Sequence, residues 1–247
     1  MNRTRRYAGR WAGGAVATVL VLGGCSGSDT SSEAAESTPP PNAGATLFSD
    51  SFDDDSNEWS LPENDVLRTT VEQGDFAWRA KALGDVRPHV LASPLGEAFD
   101  AGTLRMLDVV VSADVTPMEG EGAMGVFCRE VRGTQADFEW YEFVVRDGYG
   151  AIRKADSAGD IEVLAKTDDV SLPRGEKATV EAACVDDASG RGQLWLSLDG
   201  DVLLHVEDPD PLGNGAPGLQ AYDSPDEDPG ARFLIRWHDF TVRRPAR

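Results

Sequence analysis

Carboxylates have the most chemistry to offer in this chain, and Glu139 and Glu142 are the first pair to weigh. They stand in the run Glu139-Trp140-Tyr141-Glu142-Phe143-Val144-Val145-Arg146. Hydrolysis of a glycosidic bond needs two carboxyl groups converging on one bond, one as acid and one as nucleophile or base. On a strand, side chains alternate between faces, so the odd spacing of 139 and 142 sends them opposite ways. No strand-like run of the sequence carries two or three carboxylates in alternation. Glu142 and Glu181 are then the pair that hydrolase or lyase chemistry would have to use, and the missing run argues against it.

Other reactive patterns are weaker. Gly120-Glu121-Gly122-Ala123-Met124-Gly125 fits G-x-G-x-x-G. Dinucleotide binding needs that motif to leave a strand and open a helix. Here a strand pattern follows, Val126 to Glu130, so the motif reads as a turn between strands. No G-x-S-x-G elbow is present, and His89, His205 and His238 stand far apart without zinc-ligand spacing. Acidic clusters fall at Asp50–Asp55, Asp208–Asp210 and Asp223–Asp228. Calcium wants six to eight oxygens. Asp208, Asp210 and Asn214 offer some of them without EF-hand spacing. Solvated loops are the plain reading, and a structural Ca²⁺ there is the alternative. No other cofactor is expected.

Cys25 says where the protein works. It ends the apolar run Ala15-Val16-Ala17-Thr18-Val19-Leu20-Val21-Leu22, and a basic head with Arg3, Arg5, Arg6 and Arg10 precedes that run. The tetrad Leu22-Gly23-Gly24-Cys25 resembles a bacterial lipobox, and residues 1–24 resemble a lipoprotein signal peptide. The resemblance implies cleavage before Cys25 and its thioether lipidation. A transmembrane helix would need about 20 apolar residues. This run is nearer the roughly 7–15 of a signal sequence. Arg5-Arg6 leaves the twin-arginine export route open beside the general one. The expected location is the extracytoplasmic face of the cell membrane, with a lipid anchor.

The chain holds 43 acids against 23 Lys plus Arg. Losing four arginines and no acid with the leader takes the net charge from −20 to −24. That balance excludes nucleic acid, whose phosphates want Lys and Arg. It also disfavours direct adhesion to anionic lipid. Residues 26–45, SGSDTSSEAAESTPPPNAGA, hold no large apolar side chain. Such a segment cannot bury enough surface to offset its ordering entropy. With Cys25 it forms an expected flexible tether, 25–45, reaching about 25 Å. Residues 46–247 remain, which suits one domain with a full core.

That domain reads as all-β. Leu107, Val109, Val111, Ala113 and Val115 alternate with Asp108, Ser112 and Asp114, the period of a half-buried strand. Asp147-Gly148 and Asp199-Gly200 each separate two strand-like runs, a type I′ hairpin signal. Gln73-Gly74-Asp75 is expected to turn a third hairpin. Phe233 to Val242 reads as the last strand. Many short antiparallel strands in one unit predict a two-sheet sandwich.

Particular motifs sharpen that expectation. Phe48-Ser49-Asp50-Ser51-Phe52-Asp53 with Trp59 opens the domain, and Gly125-Val126-Phe127-Cys128-Arg129 precedes an aromatic strand. Leu194–Leu198 with Asp199-Gly200, then Gly218-Leu219, and a closing Trp237-His238-Asp239-Phe240-Thr241-Val242 follow. In this order they resemble a concanavalin A-like lectin/glucanase jelly roll. They are similar to bacterial lipoprotein domains related to 3-keto-disaccharide hydrolases. The resemblance implies two curved antiparallel sheets and no particular activity. Cys128 and Cys184 both lie in strand-like runs. Outside the cytosol they are expected to form a disulfide.

Strand parity locates a candidate binding face. If Val126, Cys128, Tyr141, Phe143, Val180, Ala182, Leu194 and Leu196 point inward, then Phe127, Arg129, Trp140, Glu142, Glu181 and Trp195 point outward. Should their strands share a sheet, one outer face would carry all six. Aromatic rings beside Arg and Glu suit a sugar. The alternative is that this face is covered and its residues form a second layer of core. The expected function is binding of a glycan or other cell-envelope ligand without catalysis. The alternatives are a carbohydrate-active hydrolase or lyase, and a scaffold or sensor for an envelope protein partner. Oligomeric state is not legible.

Overall fold

The computed structural model describes residues 39–54, 57, 59, 67–72, 74–81, 89–94, 107–132, 138–155, 160–222 and 232–246. The expected signal peptide, Cys25 and residues 26–38 of the tether lie outside them. So does the acidic run 223–228.

The described residues form strands and loops without a helix, arranged as a two-sheet antiparallel sandwich. One sheet has eight strands. Its order is β12 (Asp201–Asp208), β11 (Gly192–Leu198), β10 (Ala178–Asp186), β5 (Val109–Glu119), β14 (Arg232–Pro245), β3 (Asp75–Lys81) and β2 (Leu67–Glu72). The eighth strand, β1 (Ala43–Asp50), pairs with the later half of β14, while β3 pairs with the earlier half. β1 thus starts ahead of the expected domain boundary at Thr46. The other sheet runs β4 (His89–Ala92), β13 (Ala216–Tyr222), β6 (Ala123–Arg132), β7 (Phe138–Arg146), β8 (Tyr149–Ala155) and β9 (Ile161–Thr167). This is the expected jelly-roll sandwich.

Alternation drives the packing. Val109, Val111, Ala113 and Val115 of β5 enter the core between the sheets, whereas Leu107, just before the strand, is exposed. From the other sheet come Val126, Cys128, Tyr141, Phe143, Val145 and Ile152. A Cys128–Cys184 disulfide joins β6 to β10, and therefore one sheet to the other. The opening motif closes one end. Asp50 accepts the Phe52 amide at 2.8 Å and the Trp59 indole N–H at 2.7 Å. Phe52, Trp59, Phe76, Trp78 and Trp237 then form a contiguous chain of ring contacts.

The hairpins fall where expected, with one difference. Asp199 and Gly200 both have positive φ, 52° and 87°, as a type I′ turn requires. At Asp147-Gly148 only Gly148 does, at 70°. This turn is tied to a neighbouring segment instead. The Gly148 amide donates to the Val170 carbonyl at 2.8 Å, and Asp147 Oδ1 accepts the Leu172 amide at 3.1 Å. The pairing of Glu72 with Asp75 closes the third hairpin, with Gly74 at a φ of 81°; Gln73 lies outside the described residues. The G-x-G-x-x-G stretch links β5 directly to β6, so it runs from strand to strand.

Candidate functional site

Inward and outward parity holds for most of the candidate residues, but they do not share a sheet. Phe127 and Trp140 with Glu142 belong to β6 and β7 of the six-stranded sheet. Glu181 and Trp195 belong to β10 and β11 of the eight-stranded sheet. The expected single face is therefore two faces on opposite sides of the core. Glu142 and Glu181 cannot flank one glycosidic bond, because two sheets about 10 Å apart stand between them.

On the eight-stranded side, Arg243 Nη2 donates to Glu181 at 2.6 Å. Trp195 stacks on His205 with centroids 4.7 Å apart, and Gln193 Oε1 lies 3.0 Å from His205 Nε2. Burial holds the His205 pKa below its ordinary value, against a smaller pull upward from Glu207. Further along, His238 bridges three strands, with Nδ1 2.7 Å from Asp75 and Nε2 2.8 Å from the Thr116 hydroxyl.

Arg129 escapes the parity rule. It sits where β6 bulges against β7, and its φ is 56°. A bulge inserts a residue and re-aims a side chain. The guanidinium is buried and donates to Leu107 O (3.0 Å), Leu212 O (2.8 Å) and Asp186 Oδ1 (2.7 Å). It is a structural clamp.

Asp208 is likewise occupied. Its carboxylate accepts Tyr141 OH at 2.6 Å, the Lys154 ammonium at 2.8 Å and the Asp210 amide at 2.9 Å. Burial pushes its pKa up, but Lys154, Tyr141 and that amide outweigh burial and hold it below the usual carboxylate range. Lys154 also donates to the Asp210 carbonyl at 2.6 Å. Asn214 is exposed. An ammonium thus already sits among the oxygens nominated for calcium. Among the described residues no three His, Cys, Asp or Glu side chains converge as a metal set.

The outer face of the six-stranded sheet holds the most chemistry. Its registers align three rows. The first is Leu91, Gln220, Gly125, Val144, Ala151 and Lys166. A second holds Phe127, Glu142, Arg153 and Val163. In the third, Tyr222 faces Ala123 and Arg146 faces Tyr149. Small residues in the middle make a floor: Ala123, Val144 and Ala151 are fully buried, with Tyr149 and Tyr222 packed against them. Each tyrosine carries an arginine over its ring. Arg153 lies 4.2 Å from the Tyr222 centroid and Arg146 5.4 Å from that of Tyr149.

Glu142, wholly buried, anchors this platform. Its Oε1 accepts the Trp140 indole N–H at 2.9 Å, and Oε2 pairs with Arg153. Burial pushes the Tyr222 phenol well above its ordinary pKa, with Arg153 pulling the other way. Tyr222 therefore remains a neutral hydroxyl that can donate and accept. Phe127 and Trp140 are not displayed as expected. They pack with Ala155 and Leu91 into a second apolar layer. Gly218 permits this, since a Cβ there would fall 2.4 Å from the Phe127 ring.

Gln220 is the residue the sequence reading missed. It is fully buried, and neither its Nε2 nor its Oε1 has a hydrogen-bond partner. Such a group costs about 1–3 kcal/mol, so it calls for an explanation. Arg146, Tyr149, Arg153 and Tyr222 were missed too. The alternation Leu219-Gln220-Ala221-Tyr222 carried the signal for two of them.

No family model matches this chain, and no curated protein matches it. Solved structures do match its fold. A Bacillus subtilis protein of unknown function with a galectin-like fold shares 14% identity, covering 84% of this chain and 99% of its own, with a TM-score of 0.56. Alginate lyase A1-II′, a member of polysaccharide lyase family 7, shares 12% identity over 75% of this chain and 86% of its own, with a TM-score of 0.51. At such identities the likeness concerns the fold alone.

Proposed function

We propose that this chain is a lipid-anchored, extracytoplasmic β-sandwich that binds a glycan on the outer face of its six-stranded sheet, without catalysis. The anchor rests on the lipobox-like Leu22-Gly23-Gly24-Cys25 and on the Ser/Thr/Glu/Pro tether that follows it. The observation that carries the binding reading is Gln220. Its buried amide, with two unpartnered donors and an unpartnered acceptor, lies on the same sheet face as the Glu142–Arg153 pair and Tyr222, and sugar hydroxyls would satisfy it once the side chains that cover it shift. Partly exposed Arg146, Tyr149, Arg153 and Tyr222 form the rim where a ligand meets the face. Both Glu142 oxygens are engaged, which favours a binding role over an acid–base one.

Gln220→Leu tests this in the full chain. The substitution removes an unsatisfied amide and keeps the volume, so stability should hold or rise by about 1 kcal/mol. Binding on a glycan array should disappear. A Leu variant that binds like wild type would overturn the site. An array blank for the folded wild type, with a protein co-purifying instead, would overturn the glycan in favour of a partner.

A further inference from the structure

The class of sugar can be narrowed on the premise of that glycan reading. At one end of the sandwich a cleft of about 170 Å³ adjoins the platform. Pro117, Met124 and Leu172 give it apolar walls, and Arg146 and Arg174 supply two guanidinium groups. Arg146 belongs to both places: it lies over Tyr149 on the platform and lines the cleft.

The chain has a net charge of −20, and yet these cations are poorly matched. Arg146 makes no ion pair among the described residues, and neither does the exposed Lys166 on the same sheet face. Arg174 meets Glu121 only at 3.8 Å, with both side chains more than half exposed. A pair so exposed contributes about 0–1 kcal/mol and is easily exchanged. Asp147, the other acid lining the cleft, is directed to the Leu172 amide. On the platform, Arg146, Arg153 and Lys166 face Glu142 alone among the acids of those registers.

We propose that the Arg146–Arg174 cleft receives the carboxylate of an acidic sugar unit, so that the glycan is a uronate. A guanidinium presents parallel N–H donors that match a carboxylate's two oxygens. An incoming carboxylate would displace Glu121 from Arg174 and give Arg146 the counter-charge it lacks. The apolar walls suit the C–H face of the sugar ring.

Titration of the full chain with uronate oligosaccharides and their carboxyl-reduced counterparts tests this. At least one acidic oligosaccharide should bind at least tenfold more tightly than its reduced form, and added salt should weaken it. Arg146→Ala, which also takes a side chain from the platform rim, should cost about tenfold more for the acid form than for its reduced counterpart, and Arg174→Ala should cost about tenfold for the acid form only. The exposed Arg174 makes the second variant safe for folding, and thermal unfolding of both checks it. Equal affinity for acid and reduced forms, or arginine variants that bind like wild type, would overturn the uronate and leave the glycan reading standing. Binding of no saccharide, acidic or neutral, would overturn both.

Discussion

Arg153 holds two partners at once: its guanidinium pairs with the buried carboxylate of Glu142 and lies 4.2 Å over the ring of Tyr222. The carboxylate has no access to solvent, so its charge depends on the groups that answer it, the Arg153 guanidinium among them beside the Trp140 N–H. Arg153→Met should destabilise the fold by about 3–5 kcal/mol, because an uncompensated charge is left buried. Adding Glu142→Gln should recover most of that loss, since the amide oxygen can still accept from Trp140. Denaturant unfolding of the single and double variants measures both. Equal losses in the two would mean that the pair's charge is not what matters.

The disulfide joins opposite sheets and closes a loop of 56 residues. In the chain-entropy model it stabilises by about 4 kcal/mol. Replacing both Cys128 and Cys184 by Ala should lower stability by about that amount, and reductant should shift the melting point of wild type but not of the variant. A wild type indifferent to reductant after full thiol exposure would contradict this.

Arg129 satisfies two carbonyls and one carboxylate from a bulge. Arg129→Ala should cost about 1–3 kcal/mol, because the Leu107 and Leu212 carbonyls lose their donor while the half-buried Asp186 can turn to solvent. Arg129→Lys should recover little, because an ammonium cannot reproduce the planar fork. Urea unfolding midpoints of the two variants decide it, and near-complete rescue by Lys would refute the fork argument.

His205 should make stability sensitive to mild acid. Burial lowers its folded-state pKa below the ordinary 6.5. The unfolded chain therefore takes up a proton first as the pH falls. The stabilising contribution is full above about 6.5 and declines as the pH drops from there towards the folded value. His205→Gln can keep a hydrogen bond to Gln193 without titrating. The stability difference between wild type and variant should shrink or reverse from pH 8 to pH 5. A constant difference over that range would rule the effect out. Deeper acid should then release Asp208 and Asp114, both held below the usual carboxylate range.

The sequence by itself determined which side chains face inward. Val126, Cys128, Tyr141, Phe143, Val180, Ala182, Leu194 and Leu196 all enter the core as alternation requires. The pleat fixes that period within a few residues, so a local reading suffices. The turn positions were legible from local Gly signals, the Cys128–Cys184 bond from two cysteines left in strand-like runs of a chain expected outside the cytosol, and the jelly-roll class from the resemblance of the motifs.

Only the tertiary structure decided which strands are neighbours. Sheet partners are chosen by contacts between residues far apart in the chain, and hydrophobic period is the same in either sheet. Hence Glu181 and Trp195 left the face on which Phe127, Trp140 and Glu142 remained, and Gln220, Arg153 and Tyr222 joined it instead. The bulge at Arg129 was equally hidden, because an arginine at positive φ leaves no mark on the pattern until its three acceptors surround it.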